Sequence, residues 1–141
     1  MEENKMLEVY SKNVTVATDA SVPLNNTVLI KGTSSQLQGT STIQLNKCGV
    51  YQVAVSAVAI GSAAGVVSLQ MRKNNVLQPQ AVTEVTAADA TSLHPMSFTT
   101  LVQVPQNNCP NSLCSAPTTI DFVNTGIEAE YSTFDVVVVR I

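Results

Sequence analysis

Apolar residues recur at every second position over much of the chain, and the longest such run, from Cys48 to Ile60, could cross a whole domain as one strand. Tyr51, Val53, Val55, Ala57 and Ala59 make one wholly apolar face of it. The opposite face carries Val50, Gln52, Ala54, Ser56, Val58 and Ile60. That second face is too apolar for free exposure, so both faces are expected to be covered.

The same period continues on either side. Val14 to Ala17, Thr27 to Lys31 and Thr42 to Asn46 read as short strands, the last running through Lys47-Cys48-Gly49 into the long one. The stretches 19–26 and 32–40 read as polar turns and loops. Gly61-Ser62-Ala63-Ala64-Gly65 closes the long strand. Val67, Leu69 and Met71 then alternate with Ser68, Gln70 and Arg72, and Lys73-Asn74-Asn75 turns the chain into Val76-Leu77 as a hairpin. Ala81 to Val85 is a weak strand and 87–95 a loop. Met96, Phe98, Thr100, Val102 and Val104 share the next core face, and Pro105 ends that strand. Thr119 to Val123 and Phe134 to Ile141 complete the set. The pattern predicts an all-β domain, a sandwich or barrel of eight to ten short antiparallel strands.

Two segments stand apart. Residues 1–13, with Glu2, Glu3, Lys5, Glu8 and Lys12 among Met6, Leu7, Val9 and Tyr10, read as an N-terminal arm preceding a domain of residues 14–141. Residues 105–117 hold the longest run of turn formers and read as a protruding loop, with Asn107, Asn108, Asn111 and Ser112 as exposed binding candidates.

Composition narrows the function. At 141 residues the chain has the size of one domain, and charged residues make up only 12% of it. The seven Lys and Arg are scattered and the net charge is -3, so no basic patch is available to displace counterions from nucleic acid or to hold an anionic membrane. No transmembrane span is evident. The start, Met1-Glu2-Glu3-Asn4-Lys5, is acidic where a signal peptide would be basic, and the expected site of synthesis is a bacterial cytoplasm.

No catalytic, metal or cofactor motif rises above background. His94 is the single histidine, in an expected loop, and no serine has the context of a nucleophile elbow. Glu128 and Glu130 would share a strand face, with Asp121 or Asp135 on neighbouring strands. No tryptophan is present as a sugar platform, so a solvated polar edge is the expectation, with a calcium loop as the alternative. Three cysteines, Cys48, Cys109 and Cys114, fit neither a disulfide framework nor a zinc site; reduced thiols are expected, with a Cys109–Cys114 loop disulfide as the alternative.

Gly49-Val50-Tyr51-Gln52-Val53, the Leu69-to-Leu77 hairpin and the aliphatic C-terminal strand occur in an order that resembles a known group. These are the jelly-roll head domains of tumour necrosis factor and the complement first component, and especially the C-terminal domains of bacterial and phage collagen-like surface proteins. Val53 and Val55 stand where the complement group has aromatic residues, and no Gly-X-Y repeat precedes the domain. The resemblance implies a ten-strand jelly-roll sandwich, a homotrimer and no enzymatic activity or cofactor. On that basis the expected role is a structural protein of a bacteriophage particle, a capsid decoration or head-fibre protein. Its partners would be itself and other virion proteins such as the major capsid protein, and its final location the virion. The alternative is an adhesin module binding a receptor or a host surface glycan.

The faces locate the expected contact. Phe134, Val136 and Val138 alternate with Val137, Val139 and Ile141, leaving an apolar set on each side of the last strand. A two-layer sandwich buries one face of each sheet. The trimer-interface candidates are therefore Val50, Ala54, Val58, Ile60, Val137, Val139 and Ile141, while the number three comes from the resemblance.

Overall fold

The computed structural model describes residues 5–105 and 118–141. Its ten strands are β1 (Met6–Val16), β2 (Asn26–Lys31), β3 (Ser35–Gln38), β4 (Thr42–Leu45), β5 (Gly49–Gly61), β6 (Gly65–Lys73), β7 (Val76–Ala87), β8 (His94–Val104), β9 (Thr118–Asn124) and β10 (Ala129–Arg140). They form two five-stranded sheets in the orders β2-β1-β10-β5-β8 and β3-β4-β9-β6-β7, every neighbouring pair antiparallel. The chain crosses repeatedly between the sheets, and the two stack as a jelly-roll sandwich.

The inner faces are those the alternation specifies. Tyr51, Val53, Val55, Ala57 and Ala59 of β5 are all buried, as are Phe134, Val136 and Val138 beside them on β10 and Val67, Leu69 and Met71 across the core on β6. Aromatic rings join the layers. Phe122 of β9 meets Phe134 edge-on with ring centroids 5.7 Å apart, and Phe134 meets Tyr131 at 5.8 Å. Tyr131 and Phe134 both face inward because the β10–β5 register shifts between Tyr131 and Thr133, a bulge that resets the alternation. The β6–β7 hairpin closes on Asn74-Asn75, both with positive φ (51° and 67°), as a type I′ turn demands and asparagine tolerates.

The structure departs from the sequence expectation in several places. The boundary set between residues 13 and 14 falls inside β1, and residues 6–13 lie in the sheet between β2 and β10. Leu7 and Val9 are fully buried; the charged residues that mark this stretch as different occupy the outward positions Glu8 and Lys12. β4 does not run on into β5. The chain crosses from one sheet to the other at Asn46–Cys48, where Asn46 N–H donates to the Ser34 carbonyl (2.8 Å), the Tyr51 hydroxyl to the Lys47 carbonyl (2.7 Å) and Arg140 Nη2 to the Cys48 carbonyl (2.6 Å). The expected loop at 32–40 contains β3, four residues too polar and too short to show a period. Ala81 to Val85 belongs to the twelve-residue β7. Cys48 is a partly buried free thiol packed against the core.

Phe98, expected to be buried, only partly is, and it tilts against Phe122 at 6.3 Å. The two phenylalanines therefore separate in a mutational test. Phe122→Ala is expected to cost about 3–5 kcal/mol, the usual loss for a buried aromatic, and Phe98→Ala clearly less, read from denaturant midpoints.

Candidate assembly face

The outer face of the β2-β1-β10-β5-β8 sheet collects the residues that the alternation left without a core. Antiparallel register sets Val137 opposite Ala54 and Val139 opposite Gln52, and Ile141 N–H donates to the Val50 carbonyl. Val50, Ala54, Val58, Val137 and Val139 are half-buried on this side, with Ile141 at the margin, 73% exposed. Ile60 also points outward, but at the far end of β5 opposite Glu130. All seven candidates thus lie along the β5–β10 pairing and its C-terminal margin, with Ile60 at the end of the row away from the others.

Neighbouring strands enlarge the patch with residues that sequence reasoning missed. On β8, Leu101 lies opposite Gln52 and is 60% exposed. On β1, Met6 lies opposite Val139, Glu8 opposite Val137 and Tyr10 opposite Asp135. The last two pairings place Glu8 diagonally across from Asp135 on the same face. Asp135 lies opposite Ser56 on its other side. Burial raises the Asp135 carboxyl first, and the neighbouring Glu8 carboxyl raises it further, to about 6. The signal available in the sequence was the acidic pair at alternate phases of two apolar strands, but nothing there showed that the strands are neighbours.

The same face carries an open depression lined by Ser56, Ala57, Val58, Pro95, Met96, Ser97 and Thr133. None of these side chains titrates, so the depression offers no general acid or base. Its floor is shaped by the β10 bulge, where the Ser132 hydroxyl donates to the Val58 carbonyl at 3.3 Å.

The other residues weighed for chemistry are dispersed. Asp121 is on β9 in the opposite sheet, where Arg72 holds it by two bonds, Nε to Oδ1 at 3.0 Å and Nη2 to Oδ2 at 2.5 Å, and the Ser21 hydroxyl donates to it at 3.0 Å. It is a structural pin between β6, β9 and the β1–β2 connection. Asp135 and Glu130 lie on one strand, β10, rather than on neighbours, and Glu128 is exposed in the turn before it. No three acidic, cysteine or histidine side chains converge as a metal site among the described residues. His94 begins β8 rather than sitting in a loop, opposite Ala59, with Nε2 buried and unpartnered. The Tyr131 hydroxyl opposite the same Ala59 is also buried without a partner, and burial pushes its pKa up. The binding candidates Asn107, Asn108, Asn111 and Ser112, and the Cys109–Cys114 pair, lie outside the described residues.

The Asp135 shift has a sign that can be checked. A carboxyl raised in the folded state holds a proton that the unfolded chain releases, so its contribution to stability is fully present below pH 3.8 and is lost as pH rises through about 6. Asp135→Asn removes that loss. The variant is expected to exceed the wild type in stability by about 1 kcal/mol at pH 8, a figure discounted for the water that still reaches this carboxyl, and by nothing near pH 3. Denaturant titrations at the two pH values measure the difference.

Comparison with known proteins places the fold. Murine APRIL at pH 5.0 superposes with a TM-score of 0.69 at 7% identity, covering 99% of this chain and 100% of that one. The globular domain of zebrafish complement 1qA gives 0.67 at 10% identity, covering 99% and 98%, and Eiger TNF from S. frugiperda 0.66 at 11%, covering 99% and 94%. No protein-family model and no curated protein matches the chain by sequence. At these identities the likeness is one of fold, and the fold is the jelly roll shared by tumour necrosis factor and complement head domains.

Proposed function

We propose that this protein is a non-enzymatic assembly module that forms a homotrimer through the outer face of the β2-β1-β10-β5-β8 sheet, and that it serves as a structural component of a bacteriophage particle. The observation that carries the assembly reading is the second apolar set on β5 and β10, with small Ala54 and Ser56 at its centre, on a sheet whose other side already lines the core. A face of that kind is stable in water only at a cost, and covering it with copies of itself is the simplest remedy. The number three is supported by the likeness in fold to tumour necrosis factor and complement head domains.

The virion setting rests on the likeness of Gly49 to Val53, the Leu69-to-Leu77 hairpin and the last strand to the C-terminal domains of phage collagen-like surface proteins. As a capsid decoration or head fibre, a rigid trimer would present the opposite sheet, β3-β4-β9-β6-β7, to the medium.

Light scattering after size exclusion, run from pH 5 to pH 8 at micromolar concentration, tests the assembly. The expected mass in the acidic part of that range is three times the 14.9 kDa chain, about 45 kDa. A single-chain mass throughout contradicts the reading, and a mass of two chains replaces the trimer with a dimer. The setting is tested by gene neighbourhood: capsid and portal genes alongside are expected, and lysis or tail genes alongside contradict it.

A further inference from the structure

The Glu8–Asp135 pair puts two carboxyls in the middle of the face, beside its apolar row. Glu8 is flanked in register by Val137 on one side and Leu29 on the other, Asp135 by Tyr10 and Ser56. From β5 the facing side chains are Gln52, Ala54, Ser56 and Val58, and from β8 Ser97, Thr99, Leu101 and Gln103, none of which titrates. Two cations lie within a diagonal step. Lys12, opposite Thr133, and Lys31, opposite Met6, are both exposed, and neither forms an ion pair. The one ion pair among the described residues, Arg72–Asp121, belongs to the other sheet. Neither carboxyl of the pair thus has an ion-pair partner among the described residues.

We propose that assembly through this face is gated by protons: copies associate when the Glu8–Asp135 pair holds a proton in common, and separate when both carboxyls ionise. The inference rests on the assembly reading above and adds its regulation. Covering the face removes the water that now reaches both groups, and two adjacent unpaired carboxylates in a dry contact are strongly disfavoured. A shared proton leaves one charge and one O–H donor, which the pair satisfies internally by a charge-assisted hydrogen bond. Each chain thus takes up about one proton from solvent on assembly, and linkage requires that assembly weaken as pH rises. Burial and the neighbouring Glu8 already raise the Asp135 carboxyl in the single chain, in the direction that further covering would extend.

Sedimentation equilibrium across a concentration series at pH 5.0 and 8.0, on the wild type, Asp135→Asn and Glu8→Gln, tests the gate. Circular dichroism establishes that each variant is folded. The wild type is expected to associate at least about tenfold more tightly per chain at pH 5.0 than at pH 8.0, the consequence of losing one bound proton over that interval. Either variant, with one carboxyl already neutral, is expected to lose most of that difference and to associate at pH 8.0 about as tightly as the wild type at pH 5.0. Wild-type trimers equally tight at both pH values overturn the gate and leave the trimer standing. Association weakened at both pH values in folded Asp135→Asn also overturns it, since that result means the carboxylates are paired with a cation from a neighbouring copy. Single chains at both pH values for all three proteins overturn the assembly reading and the gate together.

Discussion

The antiparallel pairing of β10 with β5 sets the terms for the rest of the molecule, because each strand carries apolar side chains on both sides. Inward, Val136 packs beside Val55 and Val138 beside Val53, and these meet the aromatic cluster of Phe122, Phe134 and Tyr131 and the buried face of β6. Outward, Val137 lies beside Ala54, and both are only half-buried. A strand in the middle of a sandwich sheet normally alternates apolar with polar, so apolar residues on both sides mark a sheet that is expected to be covered twice. The core and the proposed assembly face are then two consequences of one pair of strands.

The strand order carries this further. β1 lies against β10 on the side away from β5, and β8 lies against β5 on the side away from β10, so the outer face is extended by Met6, Glu8 and Tyr10 on one side and by Leu101 on the other. Long-range pairing thus decides the chemistry of the face. Glu8 and Asp135 are distant in the chain and become diagonal neighbours only through the β1–β10 register. A charge that would be harmless at a sandwich edge becomes a constraint at the centre of the proposed contact.

Much of the sandwich could be read from alternation alone. Tyr51 to Ala59, Val67 to Met71 and Phe134 to Val138 announce their inward faces, and Asn74-Asn75 announces its turn, because each signal is local and repeats over several residues. The N-terminal part of β1 escaped because Glu8 and Lys12 interrupt a run whose buried apolar members, Leu7 and Val9, are too few to outweigh them, whereas Val14 to Val16 read as a strand on their own. β3 escaped because four residues carry no readable period. The crossing at Asn46–Cys48 could not be seen, since alternation on either side of it continues in phase while the backbone bonds of Asn46 and the Arg140 contact to Cys48 take the chain to the other sheet. Among the face residues, those on β5 and β10 were legible from their own strands. Leu101, Glu8 and Tyr10 were not, for they join the face through strand order.

The claim on which the account rests is that this outer face, and no other, is where copies meet. Ala54 is the small residue at its centre, between Val137 and Thr99 in register, and Val66, exposed on β6, occupies the outer face of the opposite sheet. Light scattering of Ala54→Tyr and Val66→Tyr at pH 5, at concentrations where the wild type is assembled, compares the two faces by bulk alone and without adding charge. Folded single chains are expected for Ala54→Tyr, because an enlarged side chain blocks close approach, and an unchanged assembly for Val66→Tyr. Assembly of Ala54→Tyr as tight as that of the wild type, or disruption by Val66→Tyr instead, would contradict it.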